Sequence, residues 1–232
     1  MKTCFSFFVA ALFSFVILAD VQASYVNHGV KIQTTENASQ PDAAAAYQEG
    51  LASKLFFSQL GTGIKIKETP LQQAVEEYYW IDKKNYQLGV SDVFSIKGLV
   101  ISKKQYTADE RADIAPFDYV IGWDSMSDPA VLAKIDIWQG NRFYYWHVRE
   151  FPIPRKEIEL NSTNLHLIPE SALIAQQLDQ INRGQTVMLK GFLVDVKDGD
   201  GFIWPTSRVR NDSGDGACEI MLVTEISLLQ SY

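Results

Sequence analysis

Cys218 and His166 carry the sharpest chemical possibility in this chain. A cysteine attacks as its thiolate, and lowering the thiol pKa takes a neighbouring base or a positive dipole. A single thiol beyond the N-terminal region, a histidine in a loop ended by Pro169, and a Gly-rich turn offering amide donors outline a thiol hydrolase. The same residues also suit a core. Cysteine is among the most buried residue types, and Cys218 opens the apolar run Ile220-Met221-Leu222-Val223. His166 stands between Leu165 and Leu167, where a hydrogen-bonded core histidine is the plainer expectation.

Other chemistries find less. A pair among Asp118, Asp124 and Asp128 could supply an acid and a base for a glycan, but nothing fixes their separation, and Asp128 already reads as a helix cap before Pro129. The stretches Asp198–Gly201 and Asn211–Gly216 have the composition of calcium loops without the glutamate at the twelfth position. Asp/Gly pairs are also hairpin residues. His28, His147 and His166 are isolated, so zinc has no ligand spacing to use. Neither a metal nor a cofactor is expected.

A binding surface is the alternative to catalysis. Trp138 and the Phe143-Tyr144-Tyr145-Trp146 run could stack on sugar rings. Strand alternation gives Phe143 and Tyr145 one face and Tyr144 and Trp146 the other, with one set in the core. Trp123, Asp124, Tyr144 and Trp146 are the expected binding residues.

These groups need a scaffold, and the stretch from Gly184 to Glu219 is its clearest part. Val187 and Leu189 share one strand face; after Gly191 the parity changes to Phe192, Val194 and Val196, which predicts a β-bulge. Asp198–Gly201 is a hairpin turn, Phe202–Trp204 a return strand ended by Pro205, and Ala217–Thr224 the last strand. Upstream, Thr69-Pro70-Leu71-Gln72 predicts a short helix start. Strands follow at Val93–Ser102, Tyr119–Gly122 and Arg142–Val148, and Phe151–Pro154 closes the last as an extended edge. The best helix runs from about Glu170 to Asn182, with Ile174, Leu178 and Ile181 on one face and Gly184 as its stop.

The fold class is therefore α+β and mostly β: a curled antiparallel sheet or small OB- or SH3-like barrel with a few short helices. Residues 1–23 read as a signal peptide, with Lys2, an apolar run from Cys4 to Ala19, and a small-residue site ending at Ala23. An uncleaved anchor is the alternative. Residues 24–68 are a leader or extension, read either as a tether or as an edge strand (Val30–Gln33) followed by a helix through Ala43 to Phe57. Residues 69–232 form the main domain.

The formal charge of −7 makes the chain a poor candidate for nucleic acid or anionic lipid, where basic patches dominate affinity. A chain of this size buries about 70% of its unfolded surface and folds without disulfides. Its two cysteines, one of them in the signal, leave Cys218 no internal partner. No run after the signal is expected to span a bilayer, so release to a periplasm or the extracellular space follows.

Several runs resemble an uncharacterised family of exported or membrane-anchored bacterial proteins. They are Val120-Ile121-Gly122-Trp123 with Met126-Ser127-Asp128-Pro129, Ile135-Asp136-Ile137, Phe143-Tyr144-Tyr145-Trp146, Ile153-Pro154-Arg155, Asn164-Leu165-His166-Leu167-Ile168-Pro169 and Gly216-Ala217-Cys218-Glu219. They fall in the family's order between about Phe94 and Ile226. Asp124 stands where the family has Gly, and Val209-Arg210-Asn211 where a Thr-containing version is usual. The resemblance implies an envelope location and transfers no activity. The expected role is a non-catalytic envelope module whose partner is a protein or cell-wall component; the rival is the thiol hydrolase of Cys218 and His166.

Overall fold

β-branched and aromatic runs separated by turn residues commit most of the chain to strands. A computed structural model describes residues 43–60, 65–209 and 218–230. The signal segment, the Val30–Gln33 strand and the Asn211–Gly216 loop lie outside the described residues.

The elements, in chain order, are α1 (Ala43–Leu60), β1 (Leu71–Lys83), β2 (Tyr86–Gln105), β3 (Phe117–Gly122), a 3₁₀ turn (Asp124–Ser127), α2 (Pro129–Leu132), β4 (Asp136–Gly140), β5 (Phe143–His147), α3 (Arg155–Leu160), β6 (Ser162–Pro169), α4 (Ala172–Gln180), β7 (Thr186–Lys197), β8 (Ile203–Trp204) and β9 (Glu219–Gln230).

The main sheet has the order β1-β2-β3-β6-β9-β7-β8, and β2 also pairs with β7. Strands β2, β3, β6, β9 and β7 therefore form a closed ring. Strand β2 makes closure possible. It is 20 residues long and gives residues 87–99 to β7 and residues 99–105 to β3, with bulges at Val90/Asp92 and Val100/Ser102 that let it curl. A five-stranded ring with this connectivity and a helix between its third and fourth strands is an OB-type barrel. The sheet is mixed, where the sequence led us to expect an antiparallel one. β6 and β9 run parallel, with His166 opposite Ile220.

Gly191 sits at a register shift between β7 and β9, as the parity change predicted. A Cβ there would come 1.8 Å from the Leu222 carbonyl oxygen, so the two backbones approach too closely for any side chain. The Asp198–Gly201 turn is held by its own first residue: Asp198 Oδ1 accepts from the amides of Asp200 (3.0 Å) and Phe202 (2.9 Å). That use accounts for the calcium-like composition, and among the described residues no group of three His, Cys, Asp or Glu side chains could hold a metal.

α4 plugs the barrel. Ser171 caps it by accepting from the Ile174 amide, and Ile174 and Leu178 enter the main core with Tyr119, Leu165, Leu167 and Met221. Its C-terminal carbonyls are taken by Lys103 Nζ, which donates to Leu178 O (3.2 Å), Asp179 O (2.6 Å) and Ile181 O (3.0 Å), and by the Tyr119 hydroxyl. A cation at this end is also favoured by the helix dipole.

Three expectations need correction. The segment after Thr69-Pro70 is strand, not helix, because Leu71–Ala74 pair with Ser95–Asp92 of β2; tertiary pairing outweighs the local cap signal. The stretch ending at Pro169, expected as a loop around His166, is the strand β6; Asn164 and His166 alternate with Leu165 and Leu167 along it, but both faces are buried, so its polar face does not mark a solvent side. Phe151–Pro154 is a bend leading into the helix α3 rather than an extended edge.

An insertion between β3 and β6 builds an outer layer, the β4–β5 hairpin with α2 and α3. α1 docks against it: Lys54 Nζ lies 3.3 Å from Asp136 Oδ1, Glu49 Oε1 accepts from the Gln139 amide (3.2 Å), and Phe57 enters the main core. Among the described residues no helix is long and apolar enough to cross a membrane.

Candidate functional site

Two connections of the barrel converge on the outer face of β3 and β6. They are the β2–β3 loop (residues 106–116) and the β7–β9 connection, whose described part ends at residue 209. Beneath them lies a network of buried polar side chains.

Its centre is a rung of the β3–β6 ladder that places Asp118 opposite His166. His166 Nδ1 lies 2.8 Å from Asp118 Oδ1, and because a carboxylate can only accept, Nδ1 carries the hydrogen. Arg142 reaches the same oxygen from the β4–β5 turn: NH1 donates to Asp118 Oδ1 (3.1 Å) and to Ala115 O (2.7 Å). Its Nε and NH2 grip Asp109 at 3.0 and 2.7 Å, the two-pronged geometry suited to a guanidinium. The guanidinium also lies 3.8 Å from the Tyr106 ring centroid. This reach comes from local backbone: Asn141 and Arg142 have φ of 51° and 67°, the left-handed pair of a tight hairpin turn, in a place more often given to glycine.

Amides complete the network. Gln139 Nε2 donates to Asn164 Oδ1 (2.8 Å), and Asn164 Nδ2 donates to Arg142 O (3.1 Å). On the other side of His166, Trp204 of β8 packs its ring 4.7 Å away, and Arg111 lies 4.3 Å over Trp204. The stack Arg111–Trp204–His166 ties both loops to the barrel wall. Burial, then the charge on Asp118, holds the Tyr106 phenol far above its ordinary range, so it keeps its proton. Burial would raise the Asp109 carboxyl, but hydrogen bonds from Arg142 and the Arg111 amide outweigh it and hold the pKa below the usual value.

His166 is 3% exposed and Cys218 is 7% exposed. Cys218 precedes β9, and its carbonyl accepts from the Ser207 amide at 3.1 Å. Register sets it two residues before Ile220, the partner of His166, or about 6.6 Å along the strand. Its sulfur lies close enough to Tyr145 to contribute, after burial, to raising that phenol's pKa.

The expected binding residues are placed as follows. Trp123, Tyr144 and Trp146 are buried in the main core, and the Tyr144 hydroxyl pairs with Ser162 Oγ at 2.6 Å. Asp124 alone is exposed, at the start of the 3₁₀ turn with φ 44° and its amide on Ile66 O. The alternation along β5 holds, but the set assigned to binding is the core set, because the barrel lies on that side. Phe143 and Tyr145 are the half-buried set, and Tyr145 stacks on Trp138 at 5.6 Å. The three aspartates do not act together: Asp118 belongs to the buried network and Asp128 caps α2 by accepting from the Ala130 amide.

Sequence reasoning missed Arg142 as the hub, since Arg142 was expected as the first residue of the aromatic strand Arg142–Val148, whereas it lies in the turn before β5. It also missed the Asp118–His166 pairing, which depends on a register between segments 48 residues apart. Comparison with protein-family models, with curated proteins and with solved structures finds no match to this chain.

Proposed function

We propose that this chain is an exported, non-catalytic module of the bacterial envelope, an OB-type barrel that binds a cell-wall component or an envelope protein. The observation that carries the reading is how the reactive side chains are used. The His166 imidazole, whose ladder partner Ile220 lies two residues beyond Cys218, is held at Nδ1 by Asp118, covered by Trp204 and set in a network with Arg142. Those bonds rigidify two loops. Small barrels of this type bind ligands with such loops, and a pre-ordered rim loses less entropy when a ligand lands. The step from barrel to binding module is fold analogy, and the envelope location follows from the N-terminal segment and the family resemblance.

One observation favours a second reading. An aspartate on Nδ1 is also how hydrolases orient a catalytic histidine toward a nucleophile. A thiol hydrolase of Cys218 and His166 would have to lift Trp204 and the β7–β9 connection to admit a substrate.

Thiol alkylation separates the two. The module reading expects native Cys218 to resist an alkylating probe and to react on unfolding; rapid native labelling with an acidic thiol pKa would overturn it. Co-sedimentation with purified peptidoglycan and with envelope protein fractions tests binding itself, and retention by neither would sink the reading.

A further inference from the structure

The side of the sheet formed by β1, β2 and β7 carries an aromatic platform that the buried network does not use. Trp80 pairs with Gly89, and Gly89 with Asp195; two rungs further, Asp82 pairs with Gln87, and Gln87 with Lys197. Alternation puts the two rungs on the same face, about 6.6 Å apart. Tyr78 and Trp80 are 42% and 40% exposed, an unusual position for two adjacent large rings on a charged surface.

Both rings are fixed in place. They meet edge-to-face with centroids 5.5 Å apart. A Cβ on Gly89 would come 1.8 Å from the Tyr78 hydroxyl oxygen and 3.1 Å from Trp80, so the absent side chain creates the recess in which they sit. The Tyr78 hydroxyl donates to Asp195 Oδ2 (3.1 Å), and Arg208 NH2 holds the same oxygen at 2.7 Å.

Beyond Trp80 the face continues into an open cleft of about 640 Å³, whose lining includes Asp82, Gln87, Lys197, Asn85 and Asp200. Lys197 Nζ stands 6.0 Å from the Trp80 ring centroid, at the boundary between ring and cleft. Gln87 Nε2 donates to Asp82 Oδ1 at 3.2 Å, which holds the amide and the carboxylate side by side.

Resting on the binding-module reading, we infer that this platform and cleft bind a neutral glycan. A sugar ring offers a flat C–H face and a rim of hydroxyls. A pre-set indole suits the face, and planar amide and carboxylate groups with one lysine suit the rim. Charge narrows the choice. The lining sets Lys84 and Lys197 against Asp82, Asp198 and Asp200, a formal balance of one negative charge, with Asp198 turned onto its own loop's amides. That balance, on a chain of net charge −7, leaves no attraction for a polyanion.

The test titrates the full chain with chitotetraose and with cellotetraose by tryptophan fluorescence and calorimetry, and sediments it with peptidoglycan sacculi and with an envelope protein fraction. Trp80→Ala is expected to weaken glycan binding about tenfold or more, the loss of a central aromatic anchor. Gln87→Ala is expected to weaken it several-fold, and Phe151→Ala, an exposed ring on the hairpin layer, to leave it unchanged. Circular dichroism checks that each variant folds. Glycan binding that Trp80→Ala does not alter overturns the inference and leaves the module reading standing. So does retention by the protein fraction with no binding to any glycan. Retention by nothing removes both.

Discussion

Replacing Arg142 by Met tests whether the buried network is a structural lock. Methionine keeps an unbranched stem over Tyr106 and removes the guanidinium, with its two bonds to Asp109, one to Ala115 O and one to Asp118. The four bonds do not count equally. Asp109 lies on the exposed loop, and an ion pair there contributes about 0–1 kcal/mol. Asp118 is fully buried, and the substitution leaves its charge facing the His166 ring and the Tyr106 phenol, with no cation from Arg142 beside it. Removing one member of a buried pair costs about 3–5 kcal/mol, chiefly through the charge left behind. That corresponds to a fall in Tm of roughly 6–20 °C for a chain of this size. Urea unfolding followed by fluorescence measures it, with agreement between probes checking for a two-state transition. Asp118→Asn in the same background removes the stranded charge and is expected to recover about 1–2 kcal/mol, so the double-mutant cycle shows coupling. A cost below about 1 kcal/mol for the single substitution, or additive effects in the cycle, refutes the argument.

Other substitutions and titrations reach different parts of the fold. Gly191→Ala drives a Cβ against the Leu222 carbonyl, which is backbone and cannot step aside, so a loss of about 3 kcal/mol or more is expected in urea unfolding. Tyr78 should ionise at about 12, against an ordinary 10.0, because burial and then the charge on Asp195 oppose the phenolate; ultraviolet difference absorbance reads this, and Asp195→Asn should bring the midpoint down. The unfolded phenol loses its proton first, so this contribution to stability is complete below pH 10.0 and lost as pH rises toward 12. Asp109 has the opposite sign. Its pKa is depressed from 3.8, so its contribution is complete above that value and lost as pH falls through the folded pKa. Asp109→Asn should flatten the acid limb of the stability profile, and an unchanged limb would contradict the assignment.

The parts of the fold that local chemistry specifies were legible in the sequence. The bulge at Gly191 was announced by a change of parity, the Asp198 turn by its Asp/Gly pairs, the cap of α2 by Asp128-Pro129, and the helix α4 by the apolar spacing of Ile174, Leu178 and Ile181. The parts set by distant partners were not. β1 carries a helix-start signal and is strand only because β2 is beside it. β6 shows its period in Asn164-Leu165-His166-Leu167, but the pairing with β3 and β9 that makes it a strand is long-range, so His166 looked like a loop residue. The site suffered most. Aromatic residues in a strand signal either core or ligand, and only the position of the barrel assigned Tyr144 and Trp146 to the first. The exposed rings Tyr78 and Trp80 lay in a segment credited with forming structure and nothing more.

The parallel rung between β6 and β9 has a consequence for how the chain is made. Leu165 meets Glu219, and β7 needs β9 along its other edge, so the ring can close only after the last described strand is available. A chain stopped short of Glu219 holds two bare strand edges and a hydrophobic interior open along a seam, the condition that recruits chaperones or neighbouring chains. Completion is therefore governed by β9: until it arrives, the strands upstream are waiting for the stave that joins them.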